Sequence, residues 1–443
     1  MKSILLSVCF SLFSTLTARA TTGPNPASDG NNEEVFQREG VVANRASRTV
    51  RVEARATGVA PDTKTEFFLI APNSGHDYEA VAVSKALPSD VHAALEFIGV
   101  PVGRPVYRDV LQYWPKGERV FAFIERATGD RFPLEDTILD CKSGKSLPRE
   151  GFIFTGSLRI PDLSSTNEPA RQIYAADEVS PNAILSAFNL RTTVLDIPRL
   201  GSQTELYERQ VTPAGLCFEK DEPLTFILEP EKRDSSSPRV MDLRMVVTAD
   251  TAPGVAQFDL YDASSNRLAG PVDATALTDK LKALCGTDRD LYLQFEISGK
   301  ATLQQVLQGA ELIRTLLHQK ILRPEPPVEG SLYYSAFLPN PALRQRELHI
   351  LNPWEYRLPN AESAGLARLT RILRSDSGDG TALFEEESFE VHDSAEVLRI
   401  FSKLGNGLPA LLVIAPPSLP YEVLRSHIGP LLPAHPNIFV FLE

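Results

Sequence analysis

The chain has 443 residues, of which 43% are hydrophobic and 23% are charged, so its composition is that of an ordinary globular protein. One hydrophobic core rarely serves so long a chain, and we expect two to four domains. The formal net charge of −12 argues against nucleic acid and against an anionic membrane surface as partners.

The first twenty residues, MKSILLSVCFSLFSTLTARA, have the features of a secretory signal. Lys2 supplies a short positive region, residues 4–16 form an apolar run, and residues 18–20 have the small-x-small pattern of a cleavage site. The apolar run is short for an uncleaved membrane anchor. We therefore predict cleavage after Ala20, a periplasmic or secreted protein, and a flexible polar lead over residues 21–34.

Three cysteines follow the signal, namely Cys141, Cys217 and Cys285. An odd number allows at most one disulfide, and the pattern leaves open whether two of them pair. Their spacing matches no zinc motif. Isolated buried thiols are the favoured interpretation.

Strand-like stretches dominate residues 35–230. The stretch RTVRVEARA alternates apolar and polar residues, which predicts a strand with one buried face. The stretch SDVHAALEFIGV predicts a short helix that Ser89 or Asp90 can cap and that Gly99 ends. We expect a β-rich N-terminal domain.

The second half of the chain contains an internal repeat. Corresponding positions lie 120 residues apart and pair Asp273 with Asp393, Leu277 with Val397, Leu281 with Phe401, and Leu284 with Leu404. The pattern of each copy predicts two strands, an aspartate-capped helix, a buried strand, a second helix and a last strand. We expect two small β-β-α-β-α-β sheet domains with their helices on one face, over residues 238–322 and 363–443. Residues 323–362 would be a linker and connecting segment.

Residues 35–230 resemble the YdjY-type domain of exported bacterial proteins. The resemblance rests on the order and spacing of NSGHDYEAVAVSKALPSDVHAALEFIGVPVG, YWPKGERV, LPREGFIFTGS and YAADEVSPNAILS. It implies a fold and an exported location. It implies no reaction.

The repeat unit resembles the periplasmic domain of the ExbD/TolR proteins. The resemblance rests on VDATALTDKLKAL with LYLQFEISGKATLQQVLQGAEL, and on VHDSAEVLRIFSKL with ALLVIAPPSLPYEVLRSHIGPLL. It implies pairing with a like domain and contact with envelope components. Neither unit follows a membrane helix with a proton-linked aspartate, so the resemblance does not extend to proton-driven energy transduction. The two units could pair with each other.

A polar cluster within residues 72–103 raises the question of a functional site. The candidate binding residues are Asn73, His76, Glu79, Asp90 and His92. Such side chains can bind a metal if three or four converge, and a histidine can act as base for a serine such as Ser157. The alternative is structural, with a polar turn at residues 73–75 and Asp90 capping the helix. The structural interpretation is favoured, so we predict no catalytic residue, no bound metal and no cofactor.

The sequence therefore predicts an exported α+β protein of several domains with a non-catalytic binding or scaffolding role. Its exposed sheet edges, such as the acidic stretch FEEESFE, and its helical faces would contact an envelope protein or a cell-wall component. We expect no membrane span after signal cleavage. The alternative is that the N-terminal domain is a metal- or ligand-binding module, or a hydrolase that uses His76, Glu79, Asp90 and His92.

Overall fold

The computed structural model describes residues 34–162, 171–212, 216–233, 238–249, 254–286, 288–338, 354–359, 366–376, 382–403, 410–433 and 437–443. The predicted signal, nearly all of the predicted flexible lead and Leu404 of the repeat lie outside these residues. The fold is mixed α+β, with many strands in several sheets and few helices. The predicted fold class is confirmed at this level.

The N-terminal domain is built mainly of short strands. They are β1 (Val35–Arg38), β2 (Val41–Asn44), β3 (Thr49–Ala56), β4 (Phe67–Ile70), β5 (Ala80–Ser84), β6 (Arg119–Arg126), β7 (Arg131–Pro133), β8 (Leu139–Asp140), β9 (Lys145–Ser146), β10 (Phe152–Phe154), β11 (Arg159–Pro161), β12 (Gln172–Tyr174), β13 (Ala183–Ser186), β14 (Leu195–Asp196), β15 (Gln210–Val211) and β16 (Pro223–Pro230). The helices are α1 (Pro88–Phe97), α2 (Ala175–Glu178) and α3 (Gln203–Arg209).

The main sheet of this domain closes on itself. Its strand order is β1-β2-β3-β16-β6-β10-β14-β13-β4-β5, and β5 also pairs with β3. Strand β3 can pair with β2 and with β5 because it uses different residues for each. Residues 49–52 pair with β2, and residues 54–56 pair with β5. The predicted alternation of β3 is present, with every second residue from Val50 to Ala56 buried. Closure encloses one continuous apolar core.

Helix α1 forms where the sequence predicts it, but its predicted cap is wrong. The N-cap residue is Leu87, which makes no side-chain cap hydrogen bond, and Pro88 takes the first helical position. Proline favours that position because its φ angle already suits a helix and it has no N–H group to satisfy. The Ser89 N–H donates instead to Asp177 Oδ1 at 2.9 Å. Asp90 therefore lies in the first turn of the helix and does not cap it.

Two five-stranded sheets, each with two helices, follow. Unit 1 consists of β17 (Val240–Thr248), β18 (Gln257–Asp262), β19 (Arg267–Val272), α4 (Ala274–Cys285), β20 (Asp290–Ile297), α5 (Leu303–His318) and β21 (Leu322–Pro324). Unit 2 consists of β22 (Trp354–Arg357), β23 (Ala367–Asp376), β24 (Ala382–Val391), α6 (Ser394–Ser402), β25 (Leu411–Ala415), α7 (Tyr421–Ile428) and β26 (Ile438–Leu442).

The predicted order of elements in the units is wrong by one strand. Three strands precede the first helix of each unit, and the sheet orders are β19-β18-β17-β20-β21 and β24-β23-β22-β25-β26. In unit 1 the missed strand is β19, where Gly270 and Pro271 weaken the strand pattern. In unit 2 it is β22, whose four residues are too few to show a period. Strand β22 lies inside the predicted connecting segment, so the sheet of unit 2 begins earlier than predicted.

The aspartates of the repeat cap their helices as predicted. Asp273 accepts the Ala276 N–H at 2.8 Å, and Asp393 accepts the Glu396 N–H at 3.0 Å. The Glu396 carboxylate in turn reaches back to the His392 N–H at 2.8 Å. Each cap satisfies an N–H group that has no partner within its helix.

The two units lie against each other where their second helices begin. The Leu303 N–H donates to the Leu419 carbonyl at 2.9 Å, and the Tyr421 N–H donates to the Ala301 carbonyl at 2.8 Å. The contact is reciprocal, because each unit offers the start of α5 or α7 to the other. The buried apolar residues of both units form one continuous core.

Candidate functional site

A chain of hydrogen bonds runs through His76, in the loop between β4 and β5. His76 Nδ1 lies 2.6 Å from Glu79 Oε1, and His76 Nε2 lies 2.8 Å from Ser180 Oγ. Tyr207 OH donates to the other oxygen of Glu79 at 3.2 Å. We call these four residues the His76 cluster. The Glu79 side chain is buried, whereas Ser180 is exposed at the end of the chain of hydrogen bonds.

Aromatic rings surround the His76 imidazole. The Phe67 ring meets it edge-on with centroids 5.9 Å apart, and the Tyr78 ring lies at the same distance in a tilted arrangement. Tyr78 is 65% exposed and Tyr207 is 42% exposed. The cluster therefore combines a fixed imidazole with aromatic surface that is open to solvent.

Only half of this cluster is predicted from the sequence. His76 and Glu79 were predicted together, and the structure brings them together. Ser180 lies 104 residues beyond His76, and Tyr207 lies 128 residues beyond Glu79. The only sequence signal for Ser180 is its place in the stretch YAADEVSPNAILS, which contributes to the YdjY resemblance.

His92 belongs to a separate group on α1. Its Nδ1 lies 2.8 Å from Tyr174 OH, and its Nε2 lies 3.3 Å from Glu96 Oε2. Its ring packs edge-on against Phe154, with centroids 5.1 Å apart. Within the described residues, no hydrogen bond or ion pair joins His92 or Asp90 to the His76 cluster. The candidate binding residues within residues 72–103 therefore do not converge on one site.

The other candidates have structural positions. Asn73 is exposed in the turn after β4, as the structural interpretation predicts. Ser157 is buried, and its hydroxyl has no hydrogen-bond partner within the described part of the chain, so the disfavoured alternative of a serine paired with a histidine does not occur at Ser157. No three His, Cys, Asp or Glu side chains of the described residues are placed to hold a metal ion. No disulfide joins Cys141, Cys217 and Cys285.

We expect acidification to destabilise the N-terminal domain through His92. Burial lowers the pKa of His92 below its usual value of 6.5, while the charge of Glu96 opposes this and that of Arg159 adds to it. The unfolded chain then binds a proton at a pH where the folded chain does not. The stability is therefore full above pH 6.5 and falls as the pH drops below that value.

Urea unfolding of the wild type and of His92→Gln, at about pH 7.5 and about pH 5.5, measures this effect. The glutamine can keep the hydrogen bond to Tyr174 but does not titrate. The loss of stability between the two pH values should be smaller in the variant. Equal losses in both proteins would contradict the assignment.

A network of charges joins the N-terminal domain to unit 1. Asp290, at the start of β20, contacts Arg239 Nε at 2.9 Å, Arg323 Nη1 at 2.8 Å and Arg119 Nη2 at 3.3 Å. We call these four residues the Asp290 network. Burial opposes ionisation of Asp290, but the three guanidinium groups outweigh it and hold its pKa below the usual value of 3.8. Arg119 belongs to β6, so the network spans the two domains.

Further polar contacts join the N-terminal domain to unit 1. Arg104 makes two parallel hydrogen bonds to the Glu325 carboxylate, at 2.9 and 2.7 Å. Tyr292, buried on β20, donates to the Pro115 carbonyl at 2.6 Å. Such bidentate and buried hydrogen bonds hold the two domains in one orientation.

A small pocket lies at this junction, next to the Asp290 network. Its volume is about 160 Å³, and its walls come from both the N-terminal domain and unit 1. The side chains that give it its character are Trp114, Arg119, Glu150, Arg199, Lys320 and Arg323. We call it the junction pocket. This pocket is not visible in the sequence, because its residues come from five separate stretches of the chain.

Comparison with known proteins identifies no family. No family model matches the chain, and no curated protein matches it. A match among solved structures is a Bacteroides thetaiotaomicron protein described as having an actin-like ATPase fold and unknown function. It is 12% identical and covers 48% of this chain and 94% of its own, with a TM-score of 0.15. A TM-score this low supports no inference about this chain.

Within the described residues, none of the helices has both the length and the apolar character needed to cross a membrane.

Proposed function

We propose that this chain is an exported envelope protein, and that its junction pocket has a non-catalytic binding role in which it receives an acidic group of the ligand. The observation that carries the proposal is the charge of the pocket. Four cationic side chains line it, against the carboxylates of Glu150 and Asp290. This excess of positive charge occurs in a chain whose net charge is −12, so the pocket is a local exception on an acidic protein.

The size of the pocket favours a small anionic group. A volume of about 160 Å³ accommodates a carboxylate or phosphate with a short attached group. Arginine binds such groups through two parallel hydrogen bonds. The Trp114 ring, with the Arg323 guanidinium 5.8 Å from its centroid, adds a flat apolar surface. Pockets at domain junctions are common ligand sites because two rigid walls meet there.

Envelope location rests on the sequence. The predicted signal supports export, and the resemblances to YdjY-type and ExbD/TolR domains support a place among envelope proteins. Strand β24 supports a scaffolding contribution, because it is a ten-residue edge strand whose Glu386 and Glu387 are exposed. Such an edge can add a strand from a partner, and its charge favours a basic one.

Titration with two matched sugars tests the pocket. N-acetylmuramic acid carries a carboxylate, whereas N-acetylglucosamine is the neutral counterpart. The probe of binding is the fluorescence of Trp114 in a Trp354→Phe background, which leaves Trp114 as the only tryptophan, since the chain has two. We expect the acidic sugar, and also inorganic phosphate, to change the fluorescence. The neutral sugar should not.

The double variant Arg199→Glu, Lys320→Glu should weaken binding of the acidic sugar at least about tenfold, because it reverses two charges of the pocket. Lys300→Glu, at an exposed turn of unit 1, is the control and should bind as the wild type does. Equal binding of both sugars, or no loss in the double variant, contradicts the proposal. Cross-linking in the native envelope then tests for a protein partner, and recovery of none would remove the scaffolding contribution.

A further inference from the structure

We propose that the His76 cluster is a catalytic site for acyl transfer, in which Ser180 is the nucleophile and His76 is its base. This goes beyond the binding role of the junction pocket, which involves none of these residues. Three side chains of the cluster have the contacts that such a site requires. A serine hydroxyl contacts an imidazole, and the imidazole contacts a carboxylate, at 2.8 and 2.6 Å. These are the distances at which a base activates a nucleophile and a third group orients the base.

The hydrogen bonds fit one tautomer of a neutral imidazole. A carboxylate only accepts hydrogen bonds, so in this tautomer the Nδ1 that contacts Glu79 carries the proton. Nε2 is then the acceptor, and the Ser180 hydroxyl donates to it. This is the tautomer in which the imidazole can remove the serine proton. The order of contacts therefore gives each group a defined role.

The surroundings keep the imidazole in this orientation. Glu79 is 5% exposed, and Tyr207 holds its second oxygen. Phe67 and Tyr78 contact the imidazole ring through their own rings. Glu79 is thus a positioning residue, because it touches His76 and not the reacting atoms. Its charge also stabilises the imidazolium that forms during the reaction.

The open side of the cluster indicates the class of substrate. Ser180 is exposed, and the exposed ring of Tyr78 lies beside the imidazole that Ser180 contacts. A Cβ atom built on Gly75, in the same loop as His76, would meet nothing within 4 Å, so the surface there is open. A flat aromatic or sugar ring can stack on a tyrosine. We infer a small ester with such a ring as the substrate class.

The reaction balances with water as the only second reactant. Ser180 Oγ bonds to the carbonyl carbon of the ester, and its proton moves to His76 Nε2. The bond from that carbon to the alcohol oxygen breaks, and the alcohol leaves with the proton from Nε2. Water then attacks the acyl group on Ser180, gives a proton to Nε2, and releases the carboxylic acid as Ser180 regains its proton.

The first test is covalent labelling of the full chain with a fluorophosphonate probe, together with hydrolysis of p-nitrophenyl acetate. Peptide mass spectrometry should place the adduct on Ser180. Ser180→Ala should abolish labelling, and His76→Ala should slow it about 100-fold or more, as loss of a general base does. Ser143→Ala removes an exposed turn serine with no part in the cluster, and it should leave both rates unchanged.

A second test does not depend on the choice of ester. In Ser180→Cys the new thiol would lie against His76, which should favour the reactive thiolate. We expect iodoacetamide to alkylate this thiol at least about tenfold faster than the exposed Cys141 of the same chain. Adding His76→Ala to Ser180→Cys should remove this difference in alkylation rate. Adding Glu79→Gln should reduce it, because an amide does not hold the imidazole in the required tautomer.

Each outcome decides the proposal independently of the junction pocket. Adducts spread over several serines, or equal labelling of Ser180→Ala and wild type, overturn it. Alkylation of the new thiol at the rate of Cys141 overturns it as well. Urea unfolding of every variant separates loss of reactivity from loss of fold. A protein that binds N-acetylmuramic acid but fails these tests keeps the binding role and has no acyl-transfer activity.

Discussion

Replacement of Asp290 by alanine is expected to destabilise the chain by about 3–5 kcal/mol. Asp290 is the carboxylate that Arg119, Arg239 and Arg323 share, and its side chain is 11% exposed. The variant would leave three buried guanidinium groups close together without their common counter-charge. The loss is much larger than that of an exposed ion pair because water cannot replace the missing carboxylate.

Urea unfolding of the Trp354→Phe background, monitored by the fluorescence of Trp114, measures this loss of stability at the junction between the N-terminal domain and unit 1. The control is Glu53→Ala, which breaks the pair of Glu53 with Lys85, where the side chains are 60% and 61% exposed. That variant should lose about 0–1 kcal/mol. Similar losses in the two variants would show that the Asp290 network is as weak as a surface pair.

The contribution of Asp290 also has a defined pH dependence. Its folded-state pKa lies below the usual value of 3.8, which the unfolded chain retains. The stabilisation is therefore fully present above pH 3.8 and is lost as the pH falls from there through the folded pKa. The wild type and Asp290→Ala should thus converge in stability only under strongly acidic conditions.

Replacement of Tyr421 by alanine is expected to destabilise the contact of the two units by about 3–5 kcal/mol. Tyr421 begins α7 and is 1% exposed. Its ring packs near Phe337, with centroids 6.3 Å apart, and its hydroxyl accepts the Leu332 N–H at 3.4 Å. Phe337 and Leu332 lie between the two units in sequence, so the variant opens a cavity where both units and their connection meet.

Trp354, at the start of β22, reports this loss when Trp114 is replaced by phenylalanine. Tyr421→Phe keeps the ring and should lose only about 1 kcal/mol. Val110→Ala, at a side chain that is 45% exposed, should lose less than about 0.5 kcal/mol. If Tyr421→Ala unfolds at the same urea concentration as Tyr421→Phe, the ring is not what holds this contact together.

Local patterns predicted much of the secondary structure. The helices of the repeat begin at Asp273 and Asp393 because a carboxylate can satisfy an N–H group three residues later, which depends on spacing alone. Gly99, which follows the C-cap residue Ile98 of α1, is also such a local signal, because it adopts a φ angle of +80° that other residues rarely adopt. Such signals act within one turn of the chain and are visible in the sequence.

Features that depend on distant residues were not predictable. The second pairing of β3, which closes the main sheet, depends on hydrogen bonds that its own alternation does not reveal. Ser180 reaches His76 only because the fold brings the end of α2 beside the loop after β4. The cap of α1 depends on Asp177, far along the chain, and so the nearer Asp90 was assigned that role. In each case the sequence showed the residue type but not its neighbour.

The reciprocal contact between the starts of α5 and α7 has a consequence for how the units hold together. Such an exchange of equivalent groups is what a two-fold axis produces between identical subunits. Separate subunits part on dilution, whereas two units on one chain meet at an effective concentration on the order of millimolar, whatever the protein concentration. Within one chain, the two sides of the contact come from different residues, each of which occurs once. A substitution therefore changes one side alone, and the two units are free to acquire different outer surfaces while the contact between them is kept.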